Sequence, residues 1–220
     1  MVCQDAFILS HTMMMTDLPE QEAVDRFLPP LDLPHRIDDH PRVVGGLDFP
    51  HQTEVHRHQQ AEAMAAVPAV YAEVQREFQQ VFGRALADPV VPYRMEDAEV
   101  VLVAMGTLAS TVRSAVDAAR ERGVRAGALR VRMFRPLPVD SLRTHLAGTK
   151  RIGILDRDLS PGLGGILWGE TRALAPAAAL VQGYLVGVGG GDVRPAHIGR
   201  LIDDLLSRDA AGEPRFLEVG

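Results

Sequence analysis

The sequence predicts an α/β fold: a three-layer αβα arrangement around a mostly parallel sheet, preceded by an extension of loop and helix. Three observations carry that expectation. Apolar runs alternate with helix-patterned segments four times after Tyr93, a spacing that calls for βα crossovers and a parallel sheet. The runs are continuous, as in Val100-Val101-Leu102-Val103-Ala104, which is how strands buried on both faces read. The first 50 residues lack this alternation and do not read as a self-sufficient fold.

Taken in order, Ala6-Phe7-Ile8-Leu9 reads as a short buried strand, which suggests a chain that opens in the middle of a larger unit. Met13-Met14-Met15 supplies flexible apolar side chains suited to an irregular gap or an interface. Asp17 to Phe27 reads as a short helix, with Asp17 as N-cap, Pro19 early and acids in its first turn. Pro29-Pro30 stops it. From Leu31 to Pro50 the Pro, Asp, His and Gly content predicts an extended loop that needs a partner surface.

Thr53 to Phe82 reads as a helix, with Val55, Met64, Val67, Val70, Val74, Phe78 and Val81 mostly three or four residues apart. Pro68 is expected to kink or divide it, and Gly83 to end it. Pro89 and Pro92 flank Val90-Val91 in what reads as a linker, giving a first domain of 1–92 and a second of 93–220. In the second, strands are expected near 99–105, 127–133, 151–155 and 180–187. Helices are expected near 110–122, 138–147, 164–175 and 195–207, and Phe216 to Val219 as a short final strand.

Composition narrows the function. The 220 residues carry a net charge of −6, which argues against nucleic acid as the main partner. No apolar run approaches the roughly 18 residues that cross a bilayer. Met1-Val2-Cys3-Gln4-Asp5 lacks the basic start of a signal peptide. With Cys3 as the sole cysteine there is neither a disulfide framework nor a cysteine-ligated cluster within the chain. Cytoplasm is the default compartment.

Several short motifs offer candidate sites. Gly106-Thr107 joins a strand to a helix; a helix start can hold a phosphate or carboxylate, and equally a tight turn needs small residues there. The complete dinucleotide and phosphate-loop patterns are missing, and Met133-Phe134-Arg135 stands where a ribose-binding acid would end the second strand. Arg157 and Asp158 follow the third strand, at the end of a parallel sheet where ligands and partners dock; alternatively Asp156 caps a turn and Arg157 pairs with it. Gly187-Val188-Gly189-Gly190-Gly191-Asp192 demands unusual backbone or a close approach, with Asp192 a candidate cap for the helix that follows. Ser10-His11-Thr12 ends the first apolar run, where His11 suits a proton shuttle or, more blandly, a structural role. His51, His56 and His58 with Glu54 and Glu62 suggest metal, but the spacing lacks the zinc-helix pattern and a solvated face explains it better.

These blocks, together with Phe134-Arg135-Pro136-Leu137-Pro138 and Ser160-Pro161-Gly162, resemble the transketolase C-terminal-like domain of 2-oxoacid:ferredoxin oxidoreductases, in the alpha subunit. Ser10-His11-Thr12 resembles the segment closing that family's preceding thiamine-pyrimidine domain. The resemblance implies oxidative decarboxylation of pyruvate or a related 2-oxoacid to an acyl-CoA, with thiamine diphosphate, magnesium and iron–sulfur clusters in the whole complex. It implies beta (thiamine diphosphate-binding) and gamma/delta subunits as partners, ferredoxin through the complex, and CoA and 2-oxoacid as its substrates. One departure stands out: the family's Gly-Leu-Gly-Gly-Arg-Asp carries Gly191 in place of the arginine here. The family's activating glutamate and 2-oxoacid-binding residues belong to the part preceding this match, and Gly-Asp-Gly and Cys-x-x-Cys signatures are missing. The resemblance therefore implies the C-terminal part of an alpha subunit, split or truncated, that contributes assembly and interface rather than catalytic groups. Ser10, His11, Thr12, Gly106, Thr107, Arg157, Asp158, Gly189, Gly190 and Asp192 are its cofactor-facing or interface candidates, with no metal ligand. A non-catalytic assembly module, or a nucleotide- or CoA-binding domain, is the alternative.

Overall fold

The computed structural model describes residues 2–6, 8–32 and 45–217. The chain divides into two compact units, Met1–Met13 with Asp88–Gly220, and Met14–Ala87. Its helices are α1 Ile8–His11, α2 Gln21–Phe27, α3 Pro50–Phe82, α4 Leu108–Glu121, α5 Val139–Leu146, α6 Ile166–Thr171 and α7 Pro195–Ser207, with a 3-10 turn at Arg172–Leu174 after α6. Its strands are β1 Val90–Tyr93, β2 Val100–Met105, β3 Ala126–Val131, β4 Arg151–Asp156, β5 Leu180–Leu185 and β6 Arg215–Phe216.

The strands form one sheet in the order β1-β3-β2-β4-β5-β6. All pairings are parallel except β1 with β3. The expected α/β class and its helix layers are present. Side chains of β2 alternate between the faces: Val100, Leu102 and Ala104 pack with α4 and α7, and Val101 and Val103 pack with α5 and α6. Each face thus has its own apolar cluster. Beneath α6, Gly183 of β5 permits close approach, since a Cβ there would lie 2.8 Å from the Trp168 indole. On the other face the buried Tyr184 donates its hydroxyl to Asp204 at 2.7 Å. Asp204 also receives Arg208 and Arg215, which ties α7 to β6.

Several expectations are corrected. Residues 8–11 are helical, not a strand; an apolar run this short does not separate the two periods, and Phe7 lies outside the described residues. The helix placed at Asp17 begins at Gln21, with Glu20 at the N-cap. Pro19 disfavours helical backbone at Leu18 and so holds the start back. Val90-Val91 is not linker but part of β1, where flanking prolines are tolerated because this is an edge strand. Pro68 does not divide α3. The helix expected over 164–175 is the shorter α6 and its 3-10 turn. Arg194, not Asp192, occupies the N-cap of α7. Gly83 does end α3, at φ +68°. Residues 33–44 of the expected loop, and Glu218 and Val219 of the expected final strand, lie outside the described residues.

Within Met14–Ala87, α2 packs on α3 through aromatic rings. Phe27 meets Phe78 and Phe82 edge-on, with centroids 5.5 and 5.3 Å apart. Tyr71 and Gln75 donate to the carbonyls of Ala87 and Leu86, folding the chain after α3 back onto it.

Candidate functional site

The strand order places the topological switch between β2 and β4. From β2 the chain moves one way to β3, then crosses to β4 on the other side. Loops at the carboxyl ends of such strands border a crevice. Gly106 turns β2 into α4 at φ +60°, a region that side chains disfavour. Thr107 is the N-cap of α4 but makes no cap bond of its own. Instead its N–H and its hydroxyl both donate to the Asp5 carboxylate, each at 2.5 Å. The negative charge complements the positive end of the α4 dipole. Partial burial works to raise the Asp5 pKa. The two Thr107 hydrogen bonds, with Arg157 and Arg130 nearby, outweigh it and hold the carboxyl below its ordinary range. Among the described residues, Arg130 Nε is buried with no hydrogen-bond partner.

At the end of β4, Asp156 is 2% exposed. It accepts the N–H groups of Leu167 at 2.8 Å and Trp168 at 3.0 Å, and Asp158 accepts that of Ile166 at 3.3 Å. Two acids thereby satisfy three successive donors at the start of α6. Gly165 makes this approach feasible, since a Cβ there would fall 2.0 Å from an Asp156 oxygen. Burial pushes Asp156 up to about 6; the two N–H bonds oppose it, and the neighbouring Asp158 adds to it. Both Asp156 oxygens are engaged by backbone, so this is a buried cap rather than an acid–base pair facing solvent.

Arg157 does not pair with Asp156. It donates to the Gly191 carbonyl at 3.0 Å, tying the end of β4 to the glycine loop after β5. Gly189 and Gly190 stand at φ +77° and +94° with open space around them. Asp192 pairs with Arg194 at 2.8 Å, both exposed. Ser10 and His11 lie in α1 and Thr12 follows it, all exposed, with Ser10 Oγ and His11 Nδ1 2.8 Å apart.

The structure thus gathers Gly106, Thr107, Arg157 and the loop of Gly189 and Gly190 at the ends of adjacent strands. It leaves Asp158 and Asp192 in local contacts. Sequence reasoning missed Asp5 and Arg130 as members of this group. Nothing in the local text links Asp5 to a residue 102 positions away.

The histidines of α3 are exposed, and His56 pairs with Asp48 at 2.8 Å. Among the described residues no group of three or more His, Cys, Asp or Glu is placed to hold a metal ion, and Cys3 is exposed. Among them, too, no helix is long and apolar enough to cross a membrane. Elsewhere, a cleft of about 500 Å³ lies by the amino-terminal half of β5, lined by Trp168, Arg172, Val181, Gly212 and Glu213. There Arg172 stacks over the Trp168 ring at 4.2 Å.

Residues 98–198, which hold most of the sheet and all the loops just described, match the pyruvate:ferredoxin oxidoreductase core domain II. Residues 98–198 thus carry a domain of the 2-oxoacid:ferredoxin oxidoreductase family. It is 37% identical over 203 residues to pyruvate synthase subunit PorA of Methanothermobacter thermautotrophicus, covering 92% of this chain and 52% of that one. It is 39% identical over 223 residues to the PorA of Thermotoga maritima, covering 99% and 57%. Ketoisovalerate oxidoreductase subunit VorA of Pyrococcus abyssi is 35% identical over 210 residues, covering 93% and 53%. The chain therefore spans about half the length of the curated relatives it matches.

Proposed function

We propose that this chain is part of the alpha subunit of a thiamine-diphosphate-dependent 2-oxoacid:ferredoxin oxidoreductase. In that role it supplies assembly and interface surface rather than catalytic groups. The observation that carries the reading is similarity to pyruvate synthase and ketoisovalerate oxidoreductase subunits along 92–99% of the chain, through the helical unit as well as the sheet. The complex oxidatively decarboxylates pyruvate or a related 2-oxoacid to an acyl-CoA and passes electrons to ferredoxin. Residues 1–92 are the closing end of a pyrimidine-binding domain with a helical linker, and 93–220 a transketolase C-terminal-like domain.

Thiamine diphosphate, Mg and the clusters are assigned to the whole complex, on the beta and gamma/delta subunits and whatever completes the alpha subunit, as the resemblance to that family implies. What this chain's residues do is present a carboxyl edge. Asp156 and Asp158 fix the start of α6, and Arg157 fixes the glycine loop, so Thr107, Gly189 and Gly190 face a partner on rigid supports. Ser10, His11 and Thr12 belong to the same presenting surface. The compartment is the cytoplasm. A nucleotide or CoA at the start of α4 is the weaker reading, because Asp5 already uses the Thr107 donors.

Affinity purification of the tagged chain from its native cells, followed by mass spectrometry, tests the assignment. Co-recovery of a thiamine-binding subunit and a cluster protein is expected. Recovery of the chain without either, in folded form, contradicts it.

A further inference from the structure

We propose that Asp5 is a latch: its carboxylate fixes residues 2–13 to the carboxyl edge of the sheet, and so sets where His11 stands. The inference rests on contacts within the sheet unit and stands whether or not the oxidoreductase reading does. Among the described side chains of residues 2–13, Asp5 alone is shielded from solvent; Val2, Cys3, Gln4, Ala6 and Leu9 to Met13 are all exposed. Among these described side chains, the one shielded hold on the sheet is polar.

The receptor for Asp5 is built for it. Thr107 offers a backbone and a side-chain donor to the same carboxylate oxygen, and hydrogen bonds to an ionised acceptor are the stronger kind. The amino end of α4 adds its dipole. Gly106 leaves the space that Asp5 fills, since a Cβ there would lie 2.6 Å from Asp5 Oδ2. Arg157 and Arg130 favour negative charge at this point, and Arg157 is itself held in place by Gly191. A terminal segment whose described apolar side chains are exposed opens and closes locally. The Asp5 contact is what keeps this one closed.

Amide hydrogen exchange by mass spectrometry on the full chain tests the latch. Asp5→Ala removes the carboxylate and Gly106→Ala crowds it out. Both are expected to speed exchange in residues 2–13 and at Thr107 by about tenfold or more, with β2 and α7 unchanged. Thr107→Val, which keeps only the backbone donor, is expected to fall between these variants and wild type. Thr107→Ser, which keeps both donors, is expected to match wild type. Exchange in residues 2–13 within about twofold of wild type in Asp5→Ala would overturn the latch, as would an equal rise throughout β2 and α7, which is the mark of general loosening.

Discussion

The sheet unit and the helical unit use apolar sequence in opposite ways. Among the described residues, every buried apolar side chain lies between Val90 and Leu205, in the sheet unit. There α4 turns Leu108, Ala109, Val112, Ala115, Val116 and Ala119 onto one face and buries all of them. The 33-residue α3 buries none; Val55 and Val70 are about half exposed, and Phe78 and Phe82 cluster with Phe27 of α2. A helix is stabilised in a protein mainly by the face it packs. The sheet unit therefore carries its own core, whereas the described residues of the helical unit meet through aromatic contacts and a few hydrogen bonds.

The sole tryptophan, Trp168, is buried in the sheet unit, so its fluorescence follows that unit while circular dichroism at 222 nm follows both. The largest effect is expected from Leu102→Ala in the fully buried centre of β2. It should cost about 2–5 kcal/mol, seen as an earlier urea midpoint by fluorescence. Phe78→Ala should cost the helical unit about 1–2 kcal/mol by removing its two ring partners. The loss should appear in the dichroism alone; a fluorescence shift of the same size would erase the distinction between the units. Val55→Ala, about half exposed near the start of α3, should change stability by less than about 0.5 kcal/mol.

A pH effect sharpens the same contrast. The Asp156 carboxyl is raised to about 6 in the folded chain, first by burial and then by Asp158, against about 3.9 when unfolded. Between those values the folded chain binds more protons than the unfolded one. Its contribution to stability is therefore full below about pH 4 and is lost as pH rises to about 6. Glu99, held near 2 by Arg125 and then Lys150, acts in the opposite sense at lower pH: its contribution is present above the unfolded pKa of about 4.3 and lost as pH falls toward 2. Asp158→Asn should flatten the fall between pH 4 and 6 in the fluorescence-detected melting temperature. An unchanged slope would show that Asp158 does not raise Asp156.

Much of the sheet unit was legible in the text because continuous apolar strands and one-faced helices leave separate signatures. β2 and β4 were placed to within a residue, and α7 was placed at its observed bounds. β1 was not, because proline normally argues against a strand and only the sheet order reveals an edge. The cap at α6 was half visible. Asp156 reads as a strand-ending acid, but its partners Leu167 and Trp168 lie 11 and 12 residues on, beyond any local capping pattern. Gly106-Thr107 was legible as a turn with anion-binding chemistry. That the anion is Asp5 follows only from the folded chain. The expectation that Asp192 caps α7 failed because it lies two residues upstream of the N-cap.

The most direct test of the proposed role is 2-oxoacid- and CoA-dependent reduction of ferredoxin, assayed with pyruvate and 2-ketoisovalerate. It is measured on complex captured through this chain from native cells, and in parallel on the purified chain supplied with thiamine diphosphate and Mg. Activity in the captured complex, with none in the chain alone, is the result expected. Turnover by the chain alone would contradict the assignment of catalytic groups elsewhere, and a captured complex inactive with every 2-oxoacid tried would contradict the assignment to this enzyme.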